Sequence, residues 1–180
     1  MKLRRFNALL SLLTTVLLID HGVFCSVLML SRYSVGSFAP FMPRLLAVLT
    51  VVHAFISIAE AFIGRRGAEK RKCKAYPKMN RSTELQRITG VLMLLMLGLH
   101  ILGAVNVYRP KLLHAVFQPL FFAVVAVHLS VSLSKAFITL GIGNAKFIKA
   151  VDLFAKVLGA VIFVAATIGF YLCLFGGIAE

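Results

Sequence analysis

Five long runs of apolar residues, separated by short polar stretches, dominate the hydropathy pattern of the chain. They cover about residues 7–31, 41–64, 85–107, 111–140 and 147–176. Each run is long enough to cross about 30 Å of hydrocarbon as a helix that rises about 1.5 Å per residue. The first run is too long for the apolar core of a signal peptide, so we interpret it as a retained helix. The pattern predicts an all-α integral membrane protein whose single transmembrane domain has five helices.

The amino-acid composition supports a membrane protein and argues against a nucleic-acid-binding protein. The chain is 60% hydrophobic and only 14% charged, with a mean hydropathy of +0.93, whereas soluble domains carry about a quarter charged residues. The net charge of +14 alone would allow nucleic-acid binding. Too few residues lie outside the apolar runs to build such a surface, so we predict no nucleic-acid partner.

Basic residues concentrate on one side of the predicted helices. The connection between the second and third runs, residues 65–84, is strongly basic, and Lys146 and Lys149 lie between the fourth and fifth runs. Three more precede the first run: Lys2, Arg4 and Arg5. Because Lys and Arg are retained on the cytoplasmic side of membranes, we predict a cytoplasmic N-terminus and an external C-terminus.

Four of the five histidines lie inside apolar runs, one in each of the first four. Counted along the helices at about 1.5 Å per residue, His21 and His100 lie about 21 Å from the inner ends, and His53 and His128 about 15 Å. A single buried histidine is usually structural and is satisfied by a hydroxyl or a carbonyl. Four at two depths predict an outer pair, His21 and His100, and an inner pair, His53 and His128.

Paired imidazoles inside a helical bundle are typical of haem ligation. Two of them complete the coordination of haem iron, which then transfers electrons rather than binding oxygen. Zinc is the competing metal, but it prefers three or four ligands at one depth. A third interpretation is a small transporter or scaffold with structural histidines. We predict one haem on the outer pair and one on the inner pair.

Several motifs around these histidines resemble a known family. Arg87–Gly90 opens the third run ahead of His100, His128 is followed by "SLSKAFITLGI" over Ser132–Ile142, and the basic loop opens with Arg65–Ala68. In this order and spacing they resemble the cytochrome b558 membrane anchor of bacterial succinate dehydrogenases and fumarate reductases. The similarity covers most of the chain, best from about residue 52 to 169.

The resemblance implies a five-helix anchor with two b-type haems in the bacterial cytoplasmic membrane, surrounded by membrane lipid. It implies a flavoprotein and an iron–sulfur subunit on the cytoplasmic side, and menaquinone near the outer face. Dicarboxylate chemistry would occur on the flavoprotein, so the chain would not be catalytic alone. The resemblance also allows dimers of such complexes.

The chain departs from the family in ways that keep other partners open. It is short, and no carboxylate lies near the outer end of the second run, where Phe41–Leu46 reads FMPRLL. Some relatives use a glutamate there for quinol proton transfer. A di-haem subunit of a formate dehydrogenase, a hydrogenase or another flavin reductase is therefore the alternative.

Further polar residues are candidates by depth. For quinone proton transfer we single out Asp20 and His114 at the outer side, although His114 could equally lie among the headgroups. Other outer candidates are Asn106, Tyr108, Arg109 and Gln118. Propionate or quinone contacts are predicted for Arg87 and Ser134 near the inner haem, and for Arg44 and Arg109 near the outer one. Glu60 is expected to pair with Arg87 or a loop lysine, and Asp152 with Lys156.

Overall fold

The computed structural model describes residues 2–31, 41–70, 80–105 and 111–175, all but four of which are helical. The helices are α1 Lys2–Ser31, α2 Phe41–Lys70, α3 Asn80–Val105, α4 Lys111–Leu140 and α5 Ala145–Phe175. All five are long and apolar enough to cross a membrane. The prediction of an all-α membrane protein with five spanning helices is confirmed.

The helices extend beyond the apolar runs at the end where basic residues concentrate. The first helix begins at Lys2 rather than near residue 7, the second continues to Lys70, and the third begins at Asn80. Part of the segment 65–84, predicted as a loop, is therefore helical. Hydropathy marks the part of a helix that suits lipid, whereas Lys, Arg, Glu and Ala favour helix in water as well.

Helix α4 is the centre of the bundle. It packs most extensively on α5 and also contacts α1 and α3, whereas α2 packs on α1 and contacts α3 only slightly. Within the described helices, α1 does not contact α3 and α2 does not contact α4. The first four helices thus form a ring in chain order, in which α1 faces α3 and α2 faces α4 across the middle.

Small residues bring α4 and α5 together. A Cβ added at Gly159 would lie 2.7 Å from the carbonyl oxygen of Ala126, and Ala155 is fully buried. The hydroxyl of Ser130 lies between the helices, 2.7 Å from the Ala126 oxygen and 3.4 Å from that of Ala155. Close approach over small residues is common between membrane helices, and here it makes α5 a rigid support for α4.

The turn between α4 and α5 is tight and has the glycines that it needs. Gly141 and Gly143 have φ values of 76° and 92°, a region that residues with a side chain rarely adopt. Asn144 caps α5, because its side-chain oxygen accepts the backbone N–H of Phe147 at 3.0 Å. The turn directs α5 back along α4.

Candidate functional site

The ring of helices places the predicted histidine pairs on opposite members. His53 on α2 faces His128 on α4, and both rings line one cavity. His21 lies on α1 and His100 on α3, the other two helices that face each other across the ring. Since α2 and α4 are not in direct contact, the inner pair of imidazoles projects into the space between separated helices.

The inner pair lines a cavity. Its volume is about 70 Å³, less than the roughly 300–1,000 Å³ of pockets that enclose a whole ligand, so a haem would have to widen it. Its wall is mainly apolar, with Leu46, Leu97 and Phe121 among its residues. Hydroxyl groups from three helices also line it: Ser11, Thr14 and Thr15 on α1, Thr50 on α2 and Ser132 on α4. A flat apolar group with a few polar substituents suits such a lining.

The ring of His53 is oriented by Asn7 of the neighbouring helix α1. The Nδ1 atom of His53 lies 2.8 Å from Oδ1 of Asn7. The Asn7 amide group donates through Nδ2 to Ser57 at 3.0 Å and to Glu60 at 3.4 Å. Its oxygen is therefore the atom that faces His53 and must accept, so Nδ1 of His53 carries the proton. The other nitrogen, Nε2, keeps the lone pair that ligates a metal.

The same arrangement occurs at His128, with a different partner. Its Nδ1 lies 3.0 Å from the hydroxyl of Thr89 on α3. That hydroxyl donates to the backbone oxygen of Leu85 at 2.7 Å, so it accepts the Nδ1 proton and again leaves Nε2 free. The adjacent residue is Gly90, where an added Cβ would lie 3.3 Å from Cε1 of His128. Because Gly90 has no side chain, the imidazole of His128 can pack against the backbone of α3.

The two histidines of the outer pair differ in how firmly their neighbours hold them. His100 has its Nδ1 3.0 Å from Oε1 of Gln118 on α4, and its ring stacks on Phe121 with centroids 5.1 Å apart. His21 has a weaker neighbour, the thiol of Cys25 one turn along its own helix. The sulfur lies 3.6 Å and 3.8 Å from the two ring nitrogens, and a thiol is a poor hydrogen-bond partner.

Contacts between helices also fix how far apart the pairs lie. Asn7 is level with His53 and precedes His21 by about 14 residues, which is ~21 Å along α1. On α4, Gln118 is level with His100 and precedes His128 by about 10 residues, or ~15 Å. The separation is larger than the ~6 Å that the sequence depths gave. The depth counts started at the inner ends of the apolar runs, although the helices continue past those ends. They therefore placed the inner histidine pair too deep in the membrane.

The other predicted contacts are dispersed. Arg87, Arg44 and Asp20 have exposed side chains, and Arg109 lies outside the described residues, as do Asn106 and Tyr108. Ser134 is buried, but its hydroxyl donates to Asp152 on α5 at 3.5 Å. The predicted pair of Asp152 with Lys156 is confirmed at 2.6 Å.

The sequence predicts quinone proton transfer for His114 and an ion pair for Glu60. In the structure, both residues contact other side chains. His114 is half-buried, with its ring 5.9 Å from that of Phe170, and it interacts electrostatically with His100. The expected pairing of Glu60 with Arg87 is not formed, because α2 and α3 barely touch; Glu60 instead accepts from Asn7. Of the loop lysines that were the other predicted partners, Lys72, Lys74 and Lys78 lie outside the described residues.

Sequence reasoning missed the residues that orient the histidines. Asn7, Thr89 and Gln118 are 7%, 5% and 4% exposed, and each accepts a hydrogen bond from a histidine on another helix. The sequence predicts Thr89 only as part of the Arg87–Gly90 motif and Gln118 only as a candidate quinone contact. The available signal was a single polar side chain in an apolar run, but sequence alone does not show which histidine lies beside it.

The residues present fit a haem held by two imidazoles better than a zinc ion. Both inner rings have a free Nε2, a proton fixed on Nδ1 and a cavity between separated helices. Among the described residues, no group of three or more His, Cys, Asp or Glu side chains could hold a metal ion. No protein-family model, curated protein or solved structure gives a significant match to the chain. The family resemblance therefore rests on the sequence motifs alone.

Proposed function

We propose that the chain is a di-haem cytochrome b membrane anchor that carries electrons between a quinone, menaquinone by resemblance, and the iron–sulfur subunit of a succinate dehydrogenase or fumarate reductase complex. One observation carries the proposal. In three of the four histidines, Nδ1 donates to a buried side chain of another helix, so Nε2 is left to ligate. Histidines that bind metals nearly always have such a partner on the second nitrogen.

When bound, a haem with two axial imidazoles supplies reversible one-electron transfer without an open coordination position. The chain would hold it through His53 and His128 at the inner site and through His21 and His100 at the outer site. Asn7, Thr89 and Gln118 keep three of the rings in the ligating tautomer. The mainly apolar wall of the inner cavity would limit the rearrangement of solvent during electron transfer.

The distribution of charge supports docking of soluble subunits at one end of the bundle. Contacts of Asn7 with Glu60, Lys135 with Gln86 and Ser134 with Asp152 bring the basic helix ends together. Among the residues whose side chains the structure describes, nine basic ones lie at this end, and most are exposed: Lys2, Arg4, Arg5, Arg81, Arg87, Lys135, Lys146, Lys149 and Lys156. By the positive-inside rule we assign this end to the cytoplasmic side, of a bacterial inner membrane as the resemblance implies, and we place the iron–sulfur subunit and the flavoprotein there.

The opposite end is where we place the quinone. His114 lies one turn before Gln118, the partner of His100, on α4, and Asp20 directly precedes His21 on α1. An acid and an imidazole at the membrane interface are suited to proton exchange with a quinone. We propose them as the proton-transfer residues, with Arg44 as a contact for the quinone or an outer propionate.

A reduced-minus-oxidised absorption spectrum of the purified chain, with a haem-to-protein ratio, tests the cofactor. We expect b-type bands and about two haems per chain. Replacement of His53 by Ala should remove one haem, whereas His114→Ala, a histidine outside both pairs, should keep both. Absence of a b-type signal from folded wild-type protein would contradict the proposal.

The partner requires a second measurement. Purification of the intact complex from its native membrane, under conditions that keep peripheral subunits, should yield a flavoprotein and an iron–sulfur protein. Succinate should then reduce the haems of the complex. Co-purification of a formate dehydrogenase or a hydrogenase, with no reduction by succinate, would keep the haems and replace the partner.

A further inference from the structure

We infer that the two haem sites fill in order, the inner one first, because both ligands of the inner site are already held in place by side chains of neighbouring helices. The inference rests on the proposed function, since it concerns the affinities of the two histidine pairs. Its physical basis is preorganisation: a site whose ligands are already fixed loses less conformational freedom on binding.

Both ligands of the inner site are held from neighbouring helices. His53 on α2 is bonded to Asn7 on α1, and His128 on α4 is bonded to Thr89 on α3. Asn7 is itself held by Ser57 and Glu60 of α2. These bonds join the ring of four helices as two pairs, α1 with α2 and α3 with α4, and they aim both imidazoles into one cavity. The two ligands therefore need little reorientation when a haem binds.

The outer site has one fixed ligand and one that is weakly held. Gln118 and Phe121 fix His100 from α4. Among the described residues, the hydrogen-bonding neighbour of His21 is Cys25 on the same helix. Binding at the outer site must therefore arrest the ring of His21, a cost that the inner site does not have. A haem already bound at the inner site would also fix α1 against its neighbours before the outer site fills.

Hemin titration of the full-length apoprotein tests the order. His21→Ala leaves only the inner site, and His53→Ala leaves only the outer one, so the two variants give separate binding curves. We expect the inner site to bind hemin about tenfold more tightly or better. One equivalent of hemin added to wild-type protein should reproduce the spectrum of the His21→Ala variant.

The fixing side chains provide the matched comparison. In the His21→Ala background, Asn7→Leu should weaken hemin binding about tenfold or more. In the His53→Ala background, Cys25→Ala should change it less than about threefold, because the thiol holds His21 only weakly. If Asn7→Leu fails to fold, as circular dichroism would show, Thr89→Val removes the acceptor at His128 with little change of shape.

The outcomes separate the two proposals. An outer site that binds hemin as tightly as the inner site, or more tightly, overturns the order of filling but leaves the di-haem function intact. An Asn7→Leu or Thr89→Val protein that folds and binds hemin at full strength overturns it as well. If neither single-site variant nor wild-type protein binds hemin, the proposed function itself is wrong.

Discussion

The inner and outer halves of the bundle use the same residue in the same kind of helix and surround it differently. In the inner half, both histidines donate to a polar side chain on the next helix, and both line one cavity. In the outer half, His100 has such a partner and His21 has a thiol on its own helix. The comparison teaches that the neighbouring helix, and not the helix that carries the histidine, decides which ring nitrogen is used for a hydrogen bond.

The halves also differ in how their helices are joined. Buried polar contacts between α1 and α2 occur at Asn7, at the level of the inner pair. At the level of the outer pair, α4 has the hydrogen bond of Gln118 with His100 and aromatic contacts, as in the stacking of Phe121 on His100 and the edge-to-face contact of Phe122 with Phe170. Hydrogen bonds fix the direction of a ring, whereas aromatic stacking fixes mainly its plane. The orientation of the histidine rings is therefore better fixed in the inner half than in the outer half.

The largest effect should come from removing an inner ligand. His128→Ala should abolish the inner haem, because His53 alone cannot complete six coordination, and leave the outer haem in place. The haem-to-protein ratio should fall from about two to about one, and the spectrum should keep only the outer component. Equal loss of both haems from a folded protein would contradict the pairing of helices across the ring.

Removal of an orienting partner should have the next largest effect, confined to one half. Thr89→Val takes the acceptor from His128, and Gln118→Leu takes it from His100. Each should weaken haem binding at its own site by about 10- to 100-fold and leave the other site unchanged. Hemin titration with resolved spectra measures both sites at once. A variant that weakens both sites equally would show that the partner stabilises the bundle rather than one ligand.

A smaller effect is expected from filling the space beside His128. Gly90→Val adds a side chain whose Cβ would lie 3.3 Å from Cε1 of His128. The ring must therefore turn, or the helices must move apart. We expect about tenfold weaker haem binding at the inner site, equivalent to about 1.4 kcal/mol.

The matched control for that change is Gly98→Val on the same helix. A Cβ at Gly98 has no heavy atom within 4 Å, so both haems should bind as in the wild type. Spectral titration of the two variants side by side makes the comparison. A Gly98 variant as defective as the Gly90 variant would point to a general effect of valine on α3.

The smallest effect should come from the exposed ion pair at the inner end of α5. Lys156 is 62% exposed and lies 2.6 Å from Asp152, and such pairs contribute about 0–1 kcal/mol. Lys156→Gln should leave both haems bound and shift thermal unfolding only slightly. Loss of inner haem in this variant would instead connect α5 to the inner site through Asp152 and Ser134.

Much of the architecture was predictable because the membrane limits the possible structures. An apolar run must form a helix when it crosses lipid, since unpaired backbone groups are too costly there. The start and end of α4 were predicted without error, because Arg109 and Pro110 precede it in the sequence and the glycines Gly141 and Gly143 follow it. The ends of α1, α2 and α3 were not, because their charged ends are good helix formers that continue into water.

The relation between sites was harder to predict. Depth counts from sequence put the two histidine pairs only ~6 Å apart along the membrane normal. The contact of Asn7 with His53 shows that the separation along α1 is several times larger. The counts along α1, α2 and α3 began at helix ends that the sequence misplaced, and those errors entered one small difference. Only contacts between helices provide a common reference.

The sequence by itself determined five membrane helices, their alternating direction and the assignment of one histidine to each of the first four. These follow from hydropathy and charge, which act on each segment separately. The tertiary structure alone decided that α1 faces α3 and α2 faces α4, and which side chains hold the rings. Those features depend on packing between segments distant in the chain, such as Asn7 with His53 and Thr89 with His128, and no local pattern encodes the pairing.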